Sequence, residues 1–116
     1  MADERFLVTG ALGCIGAWVV RNLARAGAKP VVFDLASDPR RLKLIMTEDE
    51  LTNVTFVAGD ITDLTALERA LDQHEVTNII HLAALQVPFC RADPPLGARV
   101  NRTLTLSLIH SRAWRA

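Results

Sequence analysis

Apolar positions along the chain fall into two alternating kinds of stretch. Short continuous runs occur at residues 5–9, 30–34, 54–58 and within 76–82, where Asn78-Ile79-Ile80-His81-Leu82 forms the centre. Runs of this length without polar alternation predict strands covered on both faces of a parallel sheet. Between them the period lengthens to that of a helix. Residues 13–26 place Ile15, Trp18, Val19, Leu23 and Ala26 on one face, with Gly27 as a left-handed cap. Ser37 or Asp38 opens a short second helix with Pro39 at its first position, and Arg41, Leu42, Ile45 and Met46 carry it to a polar break at residues 47–50. Thr62 or Asp63 caps a further helix with Leu64, Leu67, Ala70 and Leu71 inward. A loop with Pro88, Pro94 and Pro95 leads to a last helix from near Leu96. Within it residues 103–108 alternate as a strand would, but Leu104, Leu108 and Ile109 also fit a helix face, and context favours helix. Strands alternating with helices at this spacing imply βαβ units and right-handed crossovers.

Composition adds mostly exclusions. The 116 residues form one domain, without repeat or linker. Half are apolar, enough for a core, and 13 basic residues balance 13 acidic ones. A zero net charge gives no electrostatic reason to bind nucleic acid or an anionic membrane. The N-terminus is charged and no apolar run approaches the ~20 residues of a spanning helix, so a cytoplasmic location is expected. Cys14 and Cys90 lack metal-ligand spacing and read as small buried or turn residues, and no metal is expected.

The first strand enters a turn with Gly10, Gly13 and Gly16 spaced three apart, and the first helix follows. Strand, glycine turn and helix together suit a pyrophosphate: helix N–H groups and the macrodipole face the anion, and glycines allow close approach. Gly16-Ala17-Trp18 excludes a P-loop, which needs Gly-Lys-Ser/Thr there. Asp34 lies 18 residues beyond Gly16 at the end of the second strand. A carboxylate there accepts both hydroxyls of an adenosine ribose and repels a 2′-phosphate, favouring NAD over NADP. Arg40 and Arg41 argue the other way but sit in the following helix. Asp60 ends the third strand, where it accepts the adenine amine, with Ile61 against the ring, or caps a helix or makes a turn; both roles can hold together, since Asp63 can cap instead. His81 reads as a strand histidine with its ring hydrogen-bonded. Acids after the second and third strands also fit an S-adenosylmethionine-binding methyltransferase.

Four marks occur in order: Thr9-Gly10-x-x-Gly13-x-x-Gly16, Asp34, Gly59-Asp60-Ile61 and His81-Leu82-Ala83-Ala84. As a set they resemble the extended short-chain dehydrogenase/reductase family in its NAD-dependent epimerase/dehydratase branch, with nucleotide-sugar 4-epimerases and 4,6-dehydratases nearest. The resemblance implies a Rossmann-like α/β fold, strand order 3-2-1-4, helices on both faces, incomplete relative to the family. Cys14 and Ile15 would offer N–H groups to the pyrophosphate, Asp34 would hold the ribose, and Asp60 with Ile61 the adenine. Leu82, Ala83 and Ala84 would line the middle of the cofactor, with Gln86 beyond. Asn101 and Thr105 resemble the family's Asn-Val-x-Gly-Thr pattern, but Arg102 and Leu104 replace its Val and Gly, and residues 102–116 match least. The resemblance also implies a catalytic Tyr-x-x-x-Lys pair and a Ser/Thr after a fifth strand. This chain has no tyrosine, so it has no catalytic residue of that kind. The expectation is the NAD-binding portion of an oxidoreductase acting on a nucleotide sugar, inactive as this isolated chain. A non-catalytic dinucleotide-binding sensor is the alternative. The fourth strand would be an apolar edge, open to self-association.

Overall fold

A computed structural model of the chain describes residues 4–35, 38–83 and 91–95. Four parallel strands form one sheet: β1 (Phe6–Thr9), β2 (Val31–Asp34), β3 (Thr55–Ala58) and β4 (Asn78–His81). The order is β3-β2-β1-β4. β1 aligns Leu7 with Val31 on one side and with Ile79 on the other, so it lies at the centre with β2. Alternate strand residues feed opposite cores. Val8 and Val32 join a cluster with Ala17, Val20, Leu23 and Leu42, while Leu7, Val31 and Phe33 join Leu67, Ala70 and Leu71. Helix α1 (Cys14–Arg25), short α2 (Arg40–Ile45) and α3 (Glu48–Leu51) therefore cover one face, and α4 (Leu64–Gln73) covers the other. This is the Rossmann-like arrangement the alternating pattern implies.

The central strands are buried as their continuous apolar runs require, whereas β3 is an edge, with Phe56 nearly half exposed. Gly27 takes φ +86° after α1, the left-handed closure expected of it. Asp63, not Thr62, caps α4, accepting from the Ala66 N–H at 3.2 Å. Leu64 is exposed and leaves Leu67, Ala70 and Leu71 as the inner face.

Besides Leu64, two local readings are corrected. Residues 47–50 are a break, but they also begin a new helical turn. Thr47 Oγ1 accepts from the Glu50 N–H (3.2 Å) and the Glu50 carboxylate accepts from the Thr47 N–H (2.9 Å), a complete capping box. The inner face of α1 is rotated from the expected one. Gly16, Ala17, Val20 and Leu23 are buried, while Ile15 (70% exposed) and Trp18 (48%) face outward, and Ala26 is exposed too. A Cβ on Gly16 would lie 2.6 Å from Ala11 Cα, so the helix start packs too tightly on the turn for any side chain. That contact sets the helix rotation and turns Ile15 and Trp18 away from the sheet. Trp18 instead lies under the Arg21 guanidinium, 5.1 Å from the ring centroid.

Candidate functional site

The site is built where β1, β2 and β4 end on the same edge of the sheet. Ala11 and Leu12 are buried within the turn. Gly10 adopts φ +67°, a conformation open to glycine at little cost. A Cβ there would lie 2.8 Å from Ala83 N and 2.9 Å from Ala83 Cα. The absent side chain thus lets the exit of β4 rest directly on the turn. Gly13 differs from its neighbours: a Cβ on it would meet nothing nearer than Gly10 O at 3.3 Å. At 3.3 Å that contact is tight, and a side chain there needs Gly10 O to give by a few tenths of an ångström.

The start of α1 holds main-chain donors. The Gly13 N–H donates to Gly10 O (3.2 Å) and the Ala17 N–H to Gly13 O (3.0 Å). Between them Cys14, Ile15 and Gly16 carry N–H groups with no acceptor among the described residues, and no side chain caps the helix. Asp34 is brought to the same turn: its Oδ2 accepts from the Leu12 N–H at 3.1 Å. On the other side of Leu12 its carbonyl accepts from Arg41 Nη1 at 3.3 Å. Arg40 is engaged elsewhere, paired with Asp38 at 3.1 Å. Sequence reasoning did not find this grip on Leu12, since nothing local to the glycine turn marks a partner 22 or 29 residues away.

At the end of β4, Thr9 is the central anchor. Its Oγ1 accepts from the Leu82 N–H (3.1 Å, shared with the Thr9 carbonyl) and from the Ala83 N–H (3.3 Å), and lies 2.6 Å from His81 Nδ1. Two accepted bonds use both hydroxyl lone pairs, so the Thr9 proton goes to Nδ1 and the ring carries its own proton on Nε2. Burial holds His81 below its ordinary value, in agreement with a neutral ring. His81 is thus the hydrogen-bonded strand histidine anticipated above.

Asp60 makes the turn that was its simpler reading. Its Oδ1 accepts from the Thr62 N–H (2.9 Å) and the Thr62 hydroxyl (2.7 Å). Ile61 is buried in the second core cluster. Gly59 admits the Phe33 ring, which a Cβ would approach to 2.6 Å. Leu82 is partly exposed beside the turn. Ala84, Gln86, Cys90, Asn101, Thr105 and the last helix lie outside the described residues. Among the described residues no three His, Cys, Asp or Glu side chains are grouped to hold a metal ion, and no helix is long and apolar enough to cross a membrane.

Comparison with known proteins decides the family. The profile of the NAD dependent epimerase/dehydratase family matches residues 6–113. The chain belongs to this family. It is 37% identical over 114 residues to the UDP-glucose 4-epimerase of Mus musculus, covering 91% of this chain and 33% of that protein. It is 38% identical over 110 residues to the UDP-glucose 4-epimerase of Rhizobium leguminosarum bv. trifolii, covering 94% and 32%. The fold superposes on the Thermus thermophilus UDP-glucose 4-epimerase solved in complex with NAD, with a TM-score of 0.74, 30% identity and coverage of 91% and 32%. An L-threonine dehydrogenase from Clostridium difficile shares the fold, with a TM-score of 0.73 at 21% identity, covering 91% and 32%. The chain spans about a third of the length of these relatives. Family membership and the glycine turn together assign a nicotinamide dinucleotide as the cofactor type.

Proposed function

We propose that these residues are the NAD-holding portion of an epimerase/dehydratase-type oxidoreductase acting on a nucleotide sugar. The observation that carries the reading is the Asp34 carboxylate fixed against the glycine turn through the Leu12 N–H, beside the uncapped start of α1. In this reading Cys14 and Ile15 donate main-chain N–H groups to the pyrophosphate at the uncapped start of α1. Asp34 accepts the adenosine ribose hydroxyls, which favours NAD over NADP. Asp60 takes the adenine amine, whereas the Ile61 side chain, expected against the ring, is packed in the core instead. Leu82 and Ala83 line the middle of the cofactor, with Ala84, Gln86 and Asn101 continuing that wall. Once bound, the nicotinamide supplies hydride transfer. The 116 residues include no tyrosine, so the isolated chain binds cofactor without turnover. The exposed thiol of Cys14 beside the site accords with a reducing, cytoplasmic setting.

Calorimetric titration with NAD and with S-adenosylmethionine tests the reading. NAD should bind and S-adenosylmethionine should not; the reverse order would overturn it in favour of a methyltransferase-like domain. Asp34→Ala should weaken NAD by about tenfold or more, the scale of one lost charge-assisted contact.

A further inference from the structure

Of the two strands at the ends of the sheet, β3 is the more open. Its Thr55, Phe56 and Ala58 are exposed and Val57 is half-buried, whereas β4 exposes Asn78 and keeps Ile79, Ile80 and His81 half-buried. The bonds to β2 fix which main-chain groups of β3 are left over. The Thr55 N–H donates to Pro30 O (3.0 Å) and the Gly59 N–H to Asp34 O (3.1 Å). Main-chain direction alternates along the parallel register, so Val57 also turns to β2, and the N–H and C=O groups of Phe56 and Ala58 point away from the sheet. Side chains alternate as well. Val57 packs against the cluster on the α4 side, so Phe56 and Ala58 lie on the opposite face, which α1 and the short α2 and α3 cover. Phe56 stays 46% exposed there. Nothing in β3 defends this edge: Thr55-Phe56-Val57-Ala58 holds no charge and no proline, and its unbroken register with β2 leaves no bulge.

We propose that β3 pairs with β3 of a second copy of this chain, antiparallel about a two-fold axis through Val57, so that two sheets join into one. Phe56 and Ala58 then stand opposite Ala58 and Phe56 of the second copy. Each of these pairs exchanges both of its N–H···O bonds, because these are the residues whose main-chain groups point outward. The two Val57 residues meet on the axis as a non-hydrogen-bonded pair, with their side chains close. On the other face each Phe56 ring lies beside an Ala58, whose small side chain leaves it room and covers its exposed apolar surface. Large and small residues are thus spaced to complement themselves, as an isologous contact requires. The formal net charge of the chain is zero, so no long-range repulsion opposes a second copy. One strand per chain is a small contact, below the ~1,200 Å² of standard interfaces, so the dimer is weak and reversible, with Kd on the order of 100 µM. The pairing requires no bound dinucleotide.

The test is sedimentation equilibrium of the full chain from about 10 µM to about 1 mM, for wild type, Phe56→Lys and Asn78→Lys, with thermal melts to confirm folding. Wild type should pass from one chain to two across this range and stop there. Phe56→Lys, which puts a charge on the β3 edge, should weaken the dimer by about tenfold or more, and Asn78→Lys, the same change on β4, should match wild type. The register is read separately by cross-linking in a Cys14→Ser, Cys90→Ser background. Val57→Cys should close an intermolecular disulfide on mild oxidation, since non-hydrogen-bonded partners lie about 4.5 Å apart at Cα, and Ala58→Cys should not. A wild type that stays monomeric at about 1 mM would overturn the proposal. So would Phe56→Lys associating as wild type does, or Ala58→Cys cross-linking as readily as Val57→Cys. Loss of association in Asn78→Lys, or growth beyond two chains, would assign the contact to β4 and overturn it equally.

Discussion

Thr9 fixes the tautomer of His81. With both hydroxyl lone pairs taken by the Leu82 and Ala83 N–H groups, the only proton left between Oγ1 and Nδ1, 2.6 Å apart, belongs to Thr9. One buried hydroxyl thus holds the end of β4, the start of the following turn and the orientation of an imidazole. Thr9→Val should orphan the Ala83 N–H and remove the donor to His81, while Leu82 keeps the Thr9 carbonyl. The expected cost is about 1–3 kcal/mol, read as a lowered urea midpoint with unchanged slope. Thr9→Ser retains the hydroxyl and should recover most of it.

The same pair predicts an acid-side loss of stability. Burial lowers the folded His81 value from 6.5, so the unfolded chain binds the proton first as pH falls. The contribution is fully present above about pH 6.5 and is lost as pH falls through the lower folded value. Melting temperatures of wild type and His81→Gln at pH 7.5 and about 5.5 should show a smaller drop in the variant. An equal drop would place the titration elsewhere.

Glu50 titrates in a lower window. The Arg25 guanidinium, 2.6 Å away, and the Thr47 N–H push its carboxyl down from 4.5 to about 2. Its contribution is present above pH 4.5 and disappears as pH falls towards 2. Glu50→Gln should flatten the stability profile across that window, measured by urea unfolding at successive pH values. The pair ties the end of α1 to α3, so the variant should also fray α3 in hydrogen exchange.

The glycines should separate folding from binding. Gly59→Ala drives a methyl into Phe33, a side chain buried at 1% exposure, and should cost about 1–3 kcal/mol of stability. Gly13→Ala meets only Gly10 O at 3.3 Å and should change stability by less than about 1 kcal/mol. Its methyl is added at the uncapped start of α1, where the pyrophosphate binds, so NAD affinity should fall by about tenfold or more. Urea unfolding and calorimetric titration of both variants check the contrast. Comparable stability loss in the two would assign Gly13 to packing.

The sheet was legible because its strands are short apolar runs closed by turn residues, and because Asp34, Gly59 and His81 all fall at strand ends. The rotation of α1 was not. Its bulky residues outline a plausible apolar face, but the tight seat of Gly16 on Ala11 turns the small residues inward, and a pattern weighted by bulk cannot register that. The capping box at Thr47 and Glu50 was present as a Thr-x-x-Glu signature and could have been read. The triple role of Thr9 and the reach of Arg41 depend on partners 72–74 and 29 residues away, which no local rule supplies.

The contact between Gly10 and Ala83 also bears on the order in which the molecule assembles. The glycine turn comes early in the chain, yet one of its walls arrives only with β4, after the long β3-to-β4 crossover has closed. Contacts of such sequence separation form late, since loop closure must precede them. A chain holding only the first three strands would carry every glycine of the turn and still lack a finished nucleotide seat. A ligand that binds the completed seat draws on that final docking step and, by mass action, stabilises the whole sheet rather than the turn alone.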